Sequence, residues 1–500
     1  MLWNFYSLLS RISMKTFDLF GRCNLAPFLL QNSFADIARL LSDFFRDLDV
    51  VPSDVIAGLV LLRKSQKQRR QDILGQRVDG TYDFLSGAAV RSSTKFVALS
   101  DPATLASFQE VVHYMSYALA AYGWPMYVVT SSASAVCSLC TSVRCCACVP
   151  CCYGRLCNKN KDQNADPEIV EDNCHCNYVA LQKIMEKNVA ARAKQMGNGD
   201  GDKSHDKSYV DVIYATYHVD VGETPFFVAV DYLEQKVVIS IRGTLSMKDV
   251  ITDLNAEGEP LPLSPMKEDW LGHKGMVQAA EYIKGKLQSE GILERAFTKD
   301  TSRGTQSFEL VLVGHSLGAG TAAILAILMR GEFPGLHCYS YSPPGGLLSL
   351  PAVEYTKEFI TSVVVGKDVV PRIGLHQLES LRTDLIRAIQ HSKQPKWKTI
   401  TGGVVCCACQ SGDNPSSASS IEIPPYSTNS NTMEEMSGKV VSEDDIEPGM
   451  TRSRCNSQAH PTDSSIALTV HQPLYPPGQI IHIVRHHPKK GELVSRFHYQ

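Results

Sequence analysis

The residues best suited to chemistry lie in the stretch LVLVGHSLGAGTAA, which holds Gly-His-Ser-Leu-Gly at positions 314–318. An apolar run ends at Gly314, as expected of a strand, and small apolar residues follow Gly318, as expected of a buried helix. A G-x-S-x-G pattern between a strand and a helix is typical of a nucleophile elbow, whose sharp turn lifts the serine hydroxyl above the sheet edge. The context predicts that Ser316 is a nucleophile and that His315 is a packing or hydrogen-bonding neighbour.

A serine that attacks an ester needs backbone N–H groups that stabilise the negative oxygen of the tetrahedral intermediate. The N–H of Leu317 is one predicted donor, because it lies at the positive end of the new helix. The second donor of such an oxyanion hole usually comes from a loop after an earlier strand. The strand-like run KVVISI ends shortly before Thr244 and Leu245, so one of these two residues is predicted to supply the second donor.

The carboxylate that orients the catalytic histidine is expected at the end of a later strand. Asp368 follows the apolar run FITSVVVG and is the predicted acid, rather than a solvated turn residue. The histidine should come later still, and the sequence leaves its identity open. The downstream histidines are His376, His391, His460, His471, His482, His486, His487 and His498. His498 lies two residues from the end of the sequence, where chains usually fray.

The elements around the motif predict an α/β fold, namely an α/β-hydrolase-type, mostly parallel sheet with helices on both faces. The runs 225–231 and 236–243 flank a short turn and predict a hairpin. Helix 318–330 follows the elbow strand. Further strands are predicted at 308–314, 336–342, 359–366 and 479–484.

Composition shifts divide the chain into five predicted segments. Residues 1–135 form an N-terminal helical extension, 136–207 a Cys-rich and polar linker, 208–404 the catalytic core, 405–465 an insertion, and 466–500 a C-terminal strand of the core. The insertion is rich in Ser, Thr, Asn and Pro and predicts disorder. Its motif RSRCNS makes Ser457 a predicted phosphorylation site, with an unmodified polar loop as the alternative.

Overall composition narrows the function. A hydrophobic fraction of 44% and a mean hydropathy of -0.11 indicate a globular protein with an ample core. The net charge of -3 gives no electrostatic argument for nucleic acid. The most apolar stretch, Ala106–Thr130, contains Glu110, His113 and Pro125. It is interpreted as an amphipathic helix followed by a strand rather than as a membrane span.

Sixteen cysteines are clustered rather than spread, which favours a reducing compartment over a disulfide scaffold. Adjacent cysteines near aromatic and basic residues suit S-acylation at a membrane surface. Unmodified thiols and a metal site remain alternatives, although no clean pair of C-x-x-C knuckles is present, and no metal ligand is assigned. The predicted acylation sites are Cys145, Cys146, Cys151, Cys152, Cys406 and Cys407.

Six ordered motifs together resemble the sn-1-specific diacylglycerol lipases, within the fungal-type (class 3) lipases. They are RGTLS, HKGM, LVGHSLGAGTAAIL, SYSPPGGLLS, GKDVVPRIGL and LYPPGQIIHIV. The segments GAGTAAIL and SPPGGLLS make the alpha type closer than the beta type. By this resemblance Ser316 is the nucleophile, Asp368 the acid, and Thr244 and Leu317 the oxyanion donors.

The resemblance implies hydrolysis of the sn-1 ester of a diacylglycerol at a membrane. The products would be a 2-monoacylglycerol, such as 2-arachidonoylglycerol, and a free fatty acid. It also implies attachment to the cytoplasmic face of the plasma membrane and a role for Ca²⁺, although the chemistry itself requires no cofactor and no EF-hand loop is visible. Two alternatives stay open: a serine hydrolase of another acylglycerol or phospholipid ester, and an impaired lipid-binding protein without its histidine.

The sequence departs from the family pattern at both ends. Members of the family begin with four transmembrane helices, and they continue past the YPPG strand to the catalytic histidine. On this basis we expect that histidine beyond Gln500, with His498 as the candidate inside the sequence.

Overall fold

A computed structural model gives the fold of this chain. It describes residues 45, 50–75, 101–130, 175–196, 208–217, 224–244, 257–366, 368–408 and 472–483.

A seven-stranded sheet forms the centre of the described structure. Its strands are β1 (Val210–Ala215), β2 (Phe226–Asp231), β3 (Lys236–Ile241), β6 (Glu309–His315), β7 (His337–Tyr341), β8 (Ile360–Val365) and β9 (Gln479–Ile483), in that spatial order. The first three strands pair antiparallel, which confirms the predicted hairpin, and every pairing from β3 to β9 is parallel. Strands β4 (Gly258–Pro260) and β5 (Leu271–His273) form a separate small ribbon. The predicted mostly parallel α/β fold is therefore confirmed.

One face of the sheet, which we call the aliphatic face, is covered by four helices. They are α5 (Lys274–Ser289), α6 (Ile292–Phe297), α7 (Leu317–Met329) and α8 (Leu350–Thr356). Twelve of the thirteen residues of α7 are buried, because its side chains are small and apolar on every side. The helix predicted at 318–330 is thus confirmed as a buried helix against the sheet.

The opposite face, which we call the tyrosine face, is covered by helices from the N-terminal part of the chain. They are α2 (Pro102–Ala120), α3 (Trp124–Thr130) and α4 (His175–Gln195). The two faces take alternate residues of the same strands: Val237 and Ile239 pack on the aliphatic face, and Val238 packs on the tyrosine face. This alternation is the period-2 pattern of a strand that is buried on both sides.

Two expectations about this face differ from the structure. The strand predicted at the end of Ala106–Thr130 is wrong, because the chain forms helix α3 there. After α2 the chain turns at Gly123, whose φ of +67° is left-handed, and Pro125 suits the first turn of a new helix. Helix α4 also lies inside the segment predicted as a linker. Its Leu181, Ile184 and Met185 are buried at the spacing of one helical face.

The described residues divide into two compact units. The sheet and its covering helices belong to the unit drawn from 1–43, 84–378 and 471–500. In the described residues no helix combines the length and apolarity that crossing a bilayer requires.

The second unit is drawn from 44–83 and 379–470. It contains α1 (Pro52–Gly75), most of α9 (Leu375–Gln390) and α10 (Lys396–Ala408). An ion pair joins Asp54 to Lys396, and this contact lowers the pKa of the Asp54 carboxyl. Helices far apart in sequence, α1 and α10, pack together in this unit. Sequence periodicity alone does not show such pairing.

Candidate active site

The turn between β6 and α7 has the strand–turn–helix geometry of a nucleophile elbow. Strand β6 ends at His315 and α7 begins at Leu317. Between them Ser316 has φ 60° and ψ -127°, a backbone conformation that non-glycine residues rarely adopt. Such strain costs about 1–3 kcal/mol and persists only where the surroundings impose it. The Ser316 N–H donates to the Tyr341 carbonyl at 2.9 Å, which fixes the turn to the neighbouring strand β7.

Close backbone approach explains both glycines of the motif. A Cβ atom on Gly314 would lie 2.1 Å from the Gly318 carbonyl oxygen, and one on Gly318 would lie 2.5 Å from the Ile241 carbonyl oxygen. Both distances are far below any real contact, and the atoms met are backbone atoms that cannot swing aside. The elbow therefore requires glycine at both positions, as the sequence predicts.

The end of strand β3 lies directly against the serine. A Cβ atom on Gly243 would lie 2.3 Å from the His315 carbonyl oxygen and 3.3 Å from Ser316 Cβ. Thr244 is the next residue along the chain, so the loop predicted to supply the second oxyanion donor begins beside the nucleophile. Leu245, the alternative donor, lies outside the described residues. Leu317 occupies the first position of α7, where backbone N–H groups have no partner within the helix.

Asp368 lies just beyond β8 at the same edge of the sheet as Ser316, because β6, β7 and β8 run parallel. Its Oδ1 accepts the Val370 N–H at 3.1 Å, and its carbonyl accepts from Arg372 Nε at 3.0 Å. The Asp368 charge acts to raise the pKa of His315, which shows that the carboxylate lies within electrostatic reach of the elbow. The strand-end position of the predicted acid is therefore as expected.

His315 has a partner that the sequence analysis does not identify. Its Nδ1 lies 2.8 Å from the Tyr122 hydroxyl, 193 residues away in the chain. Burial lowers the pKa of His315 to about 4, although the Asp368 charge opposes this shift. The ring is therefore neutral near pH 7, and the hydrogen bond agrees with its interpretation as a neighbour of the nucleophile.

The structure does not identify the catalytic base. The Ser316 side chain is buried, with 6% of its surface exposed, and no described histidine forms a hydrogen bond with its hydroxyl. His482 instead pairs through Nε2 with the Gly366 carbonyl at 2.8 Å, and His391 pairs with the carbonyl of Arg387. His460, His471, His486, His487 and His498 lie outside the described residues.

Several modification sites also lie outside the described residues, namely Cys145, Cys146, Cys151, Cys152 and Ser457. Cys406 and Cys407 belong to α10, but their side chains are not described. No group of three His, Cys, Asp or Glu side chains in the described part of the chain has the geometry to hold a metal ion. The role of Ca²⁺ that the resemblance implies stays a prediction.

Comparison with known proteins agrees with this geometry. Residues 238–377 match the family model described as lipase (class 3), a range that includes most of β3, the elbow and Asp368. The chain is 44% identical over 459 residues to diacylglycerol lipase-alpha of Mus musculus. It is 33% identical over 371 residues to diacylglycerol lipase-beta of the same species. The greater similarity to the alpha type confirms the resemblance read from the sequence.

The extent of these matches differs. The alignment with the alpha lipase covers 91% of this chain but 38% of that relative, and the alignment with the beta lipase covers 74% and 48%. The chain thus spans well under half the length of the alpha relative. A crystal structure of a mono- and diacylglycerol lipase from Aspergillus oryzae matches at 22% identity and a TM-score of 0.29. It covers 33% of this chain and 58% of that one.

Proposed function

We propose that this chain, whose residues 238–377 form a class 3 lipase domain, is a serine lipase that cleaves the sn-1 ester of diacylglycerols. The products are a 2-monoacylglycerol and a free fatty acid. One observation carries the proposal: Ser316 has φ 60° at a strand–helix turn, with Gly243 packed against it and Asp368 at the same sheet edge. The similarity to diacylglycerol lipases supports the choice of substrate.

In the proposed reaction Ser316 Oγ attacks the ester carbonyl, while a histidine oriented by Asp368 takes the hydroxyl proton. The N–H groups of Leu317 and Thr244 stabilise the negative oxygen of the tetrahedral intermediate. The histidine then gives its proton to the leaving 2-monoacylglycerol, and water hydrolyses the acyl-enzyme. The chain's own contribution is the bent backbone that presents Oγ, together with donors fixed before the substrate arrives.

Because the substrate is a membrane lipid, we also propose that the protein acts at a membrane, on the cytoplasmic face of the plasma membrane. S-acylation at Cys145, Cys146, Cys151, Cys152, Cys406 and Cys407 would strengthen that attachment. Phosphorylation at Ser457 is proposed to alter access to the site. When the sn-2 chain is arachidonoyl, the product is the endocannabinoid 2-arachidonoylglycerol. A dependence on Ca²⁺, which the resemblance implies, stays a prediction.

The experiment uses diacylglycerols with different acyl chains at sn-1 and sn-2, presented in vesicles, with the released acids identified by mass spectrometry. We expect release of the sn-1 acid, labelling of Ser316 by a fluorophosphonate, and loss of both in Ser316→Ala. Replacing Asp368 with Asn should lower kcat about 10⁴-fold, as loss of the orienting carboxylate does in other triads. The control is Glu354→Gln, an exposed surface change.

Labelling of Ser316 without cleavage of any diacylglycerol would contradict the substrate but keep the serine hydrolase. Failure of the probe to label Ser316 in folded protein would contradict the nucleophile itself and favour a lipid-binding role.

A further inference from the structure

The contact between Tyr122 and His315 joins the N-terminal helices to the elbow. Tyr122 follows the end of α2 and lies outside the lipase-matched residues 238–377. It is 5% exposed, and its hydroxyl reaches the elbow from the tyrosine face of the sheet. A Cβ atom on Gly243 would lie 2.7 Å from this hydroxyl. One oxygen atom therefore touches both loops that surround Ser316.

The Tyr122 hydroxyl lies between the backbone of Gly243 and the ring of His315. Burial raises the pKa of Tyr122 well above its usual range, and the Arg242 charge and the Gly243 backbone oppose that rise. The phenol therefore keeps its proton near neutral pH. Its hydrogen-bond partner among the described residues is His315 Nδ1, at 2.8 Å.

Tyr122 is itself held firmly. The preceding helix α2 is fixed to the sheet by His113 and Tyr117, which bond Asp231 Oδ2 at 2.6 and 2.7 Å. After Tyr122 the chain turns at Gly123, where a Cβ atom would lie 2.4 Å from Asn177 Oδ1. The same Asn177 oxygen accepts the Trp124 N–H at 3.2 Å. The phenol ring is therefore anchored on both sides along the chain.

We propose that Tyr122 is a positioning residue that sets the separation between the oxyanion loop and the nucleophile elbow. This inference rests on the proposed hydrolase chemistry at Ser316. Gly243 precedes the predicted donor Thr244, and His315 precedes Ser316. A hydroxyl that packs against Gly243 and bonds His315 therefore holds donor and nucleophile in register. Fixed donors stabilise the charge that develops in the transition state more than they stabilise bound substrate. The N-terminal helices would then serve the reaction directly, besides completing the core.

The test is Tyr122→Phe in the full chain, which removes the hydroxyl and keeps the ring. We expect kcat on vesicle diacylglycerol to fall about 10- to 100-fold, as misplacement of a catalytic group typically causes. KM and Tm should change little, and the rate of fluorophosphonate labelling at Ser316 should fall by the same factor as kcat. The matched control is Tyr339→Phe. It removes another phenol between α2 and the sheet, bonded to Glu110 at 2.9 Å, and should stay within twofold of wild type.

A double-mutant cycle tests whether Tyr122 acts through His315. In a His315→Phe background, Tyr122→Phe should lower the labelling rate no further. If Tyr122→Phe does not fold, the labelling rate of His315→Phe against wild type tests the same hydrogen bond, and an unchanged rate overturns the proposal. Tyr122→Phe activity within twofold of wild type, or equal losses in both Tyr→Phe variants, would also overturn it.

The readouts separate this inference from the proposed function. If the wild-type protein is labelled at Ser316 but cleaves no diacylglycerol, and labelling slows in Tyr122→Phe, the positioning role stands and the substrate assignment fails. If the wild-type protein cleaves diacylglycerol as proposed and Tyr122→Phe leaves that activity intact, the proposed function stands and the positioning role fails. If wild-type Ser316 is not labelled, both fail.

Discussion

The two faces of the sheet are held by different kinds of interaction. On the aliphatic face, α5 and α7 pack Ala, Ile and Leu side chains against the strands. On the tyrosine face, seven of the buried residues are tyrosines, namely Tyr114, Tyr117, Tyr127, Tyr178, Tyr217, Tyr339 and Tyr341. Their hydroxyls make directed bonds, such as that from Tyr341 to the Val111 carbonyl at 2.5 Å. Apolar packing tolerates small shifts, whereas the bonds from His113 and Tyr117 to Asp231 fix the position of α2 and thereby of Tyr122.

The largest expected effect comes from the polar centre of the tyrosine face. Asp231 is fully buried and accepts from Tyr117, from His113 and from two backbone N–H groups. Asp231→Ala leaves all four without their acceptor, so we expect a loss of about 3–5 kcal/mol in the free energy of unfolding. Because α2 is then loosened, kcat per folded molecule should fall as well. Denaturant unfolding and labelling of the folded fraction measure the two quantities.

A contrasting effect is expected from the aliphatic face. Ile283 on α5 is fully buried, and Ile283→Ala should cost about 3 kcal/mol through the cavity it leaves. The labelling rate of the folded fraction should stay near that of wild type, because this face does not reach Tyr122. Equal losses of rate in Ile283→Ala and Asp231→Ala would remove the distinction between the faces.

A smaller effect on stability is expected when the pH is lowered, because His315, which links the elbow to the tyrosine face, is neutral in the folded protein. Folding lowers the pKa of His315 from 6.5 to about 4, so below pH 6.5 the unfolded chain takes up a proton that the folded protein excludes. Stability should therefore be lost as the pH falls from 6.5 towards 4, with the His315 share about 2 kcal/mol between pH 7 and pH 5.

The His315 share is the difference in pH dependence between wild type and His315→Phe, measured by denaturant unfolding. His337, whose pKa burial also lowers to about 4, is present in both proteins and cancels. Identical pH dependence in the two proteins would show that His315 is not held neutral by the fold.

The sequence predicts the elbow well because its parts are contiguous. An apolar strand, two glycines around a serine and an apolar helix lie within about twenty residues, and local patterns report such units reliably. Asp368 was likewise predictable, because it directly follows an apolar strand. The same reasoning fails for Tyr122, since its partner His315 is 193 residues away and the segment AAYGWP gives no chemical signal.

Helix α4 was missed for a related reason. Its sequence HCNYVALQKIMEKNVAARAKQ places Leu181, Ile184 and Met185 on one helical face, but it follows a Cys-rich stretch that reads as a loop. The helix belongs to the core because Leu181 and Met185 pack against the tyrosine face of the sheet. The catalytic histidine stays open, since eight candidates follow Asp368 and spacing does not choose among them.

Strand β9 returns the chain to the sheet beside β8, after the long segment that separates these two strands in sequence. Ser362 donates to the Pro477 carbonyl at 2.6 Å, and a Cβ atom on Gly478 would lie 2.1 Å from the Ile360 carbonyl oxygen. The ends of the intervening segment are thus clamped side by side on β8 and β9, and doubling its length would cost only about 0.6 kcal/mol of closure entropy. Insertions and deletions between α10 and β9 can therefore change the length of this segment while Ser316 and Asp368 keep their positions.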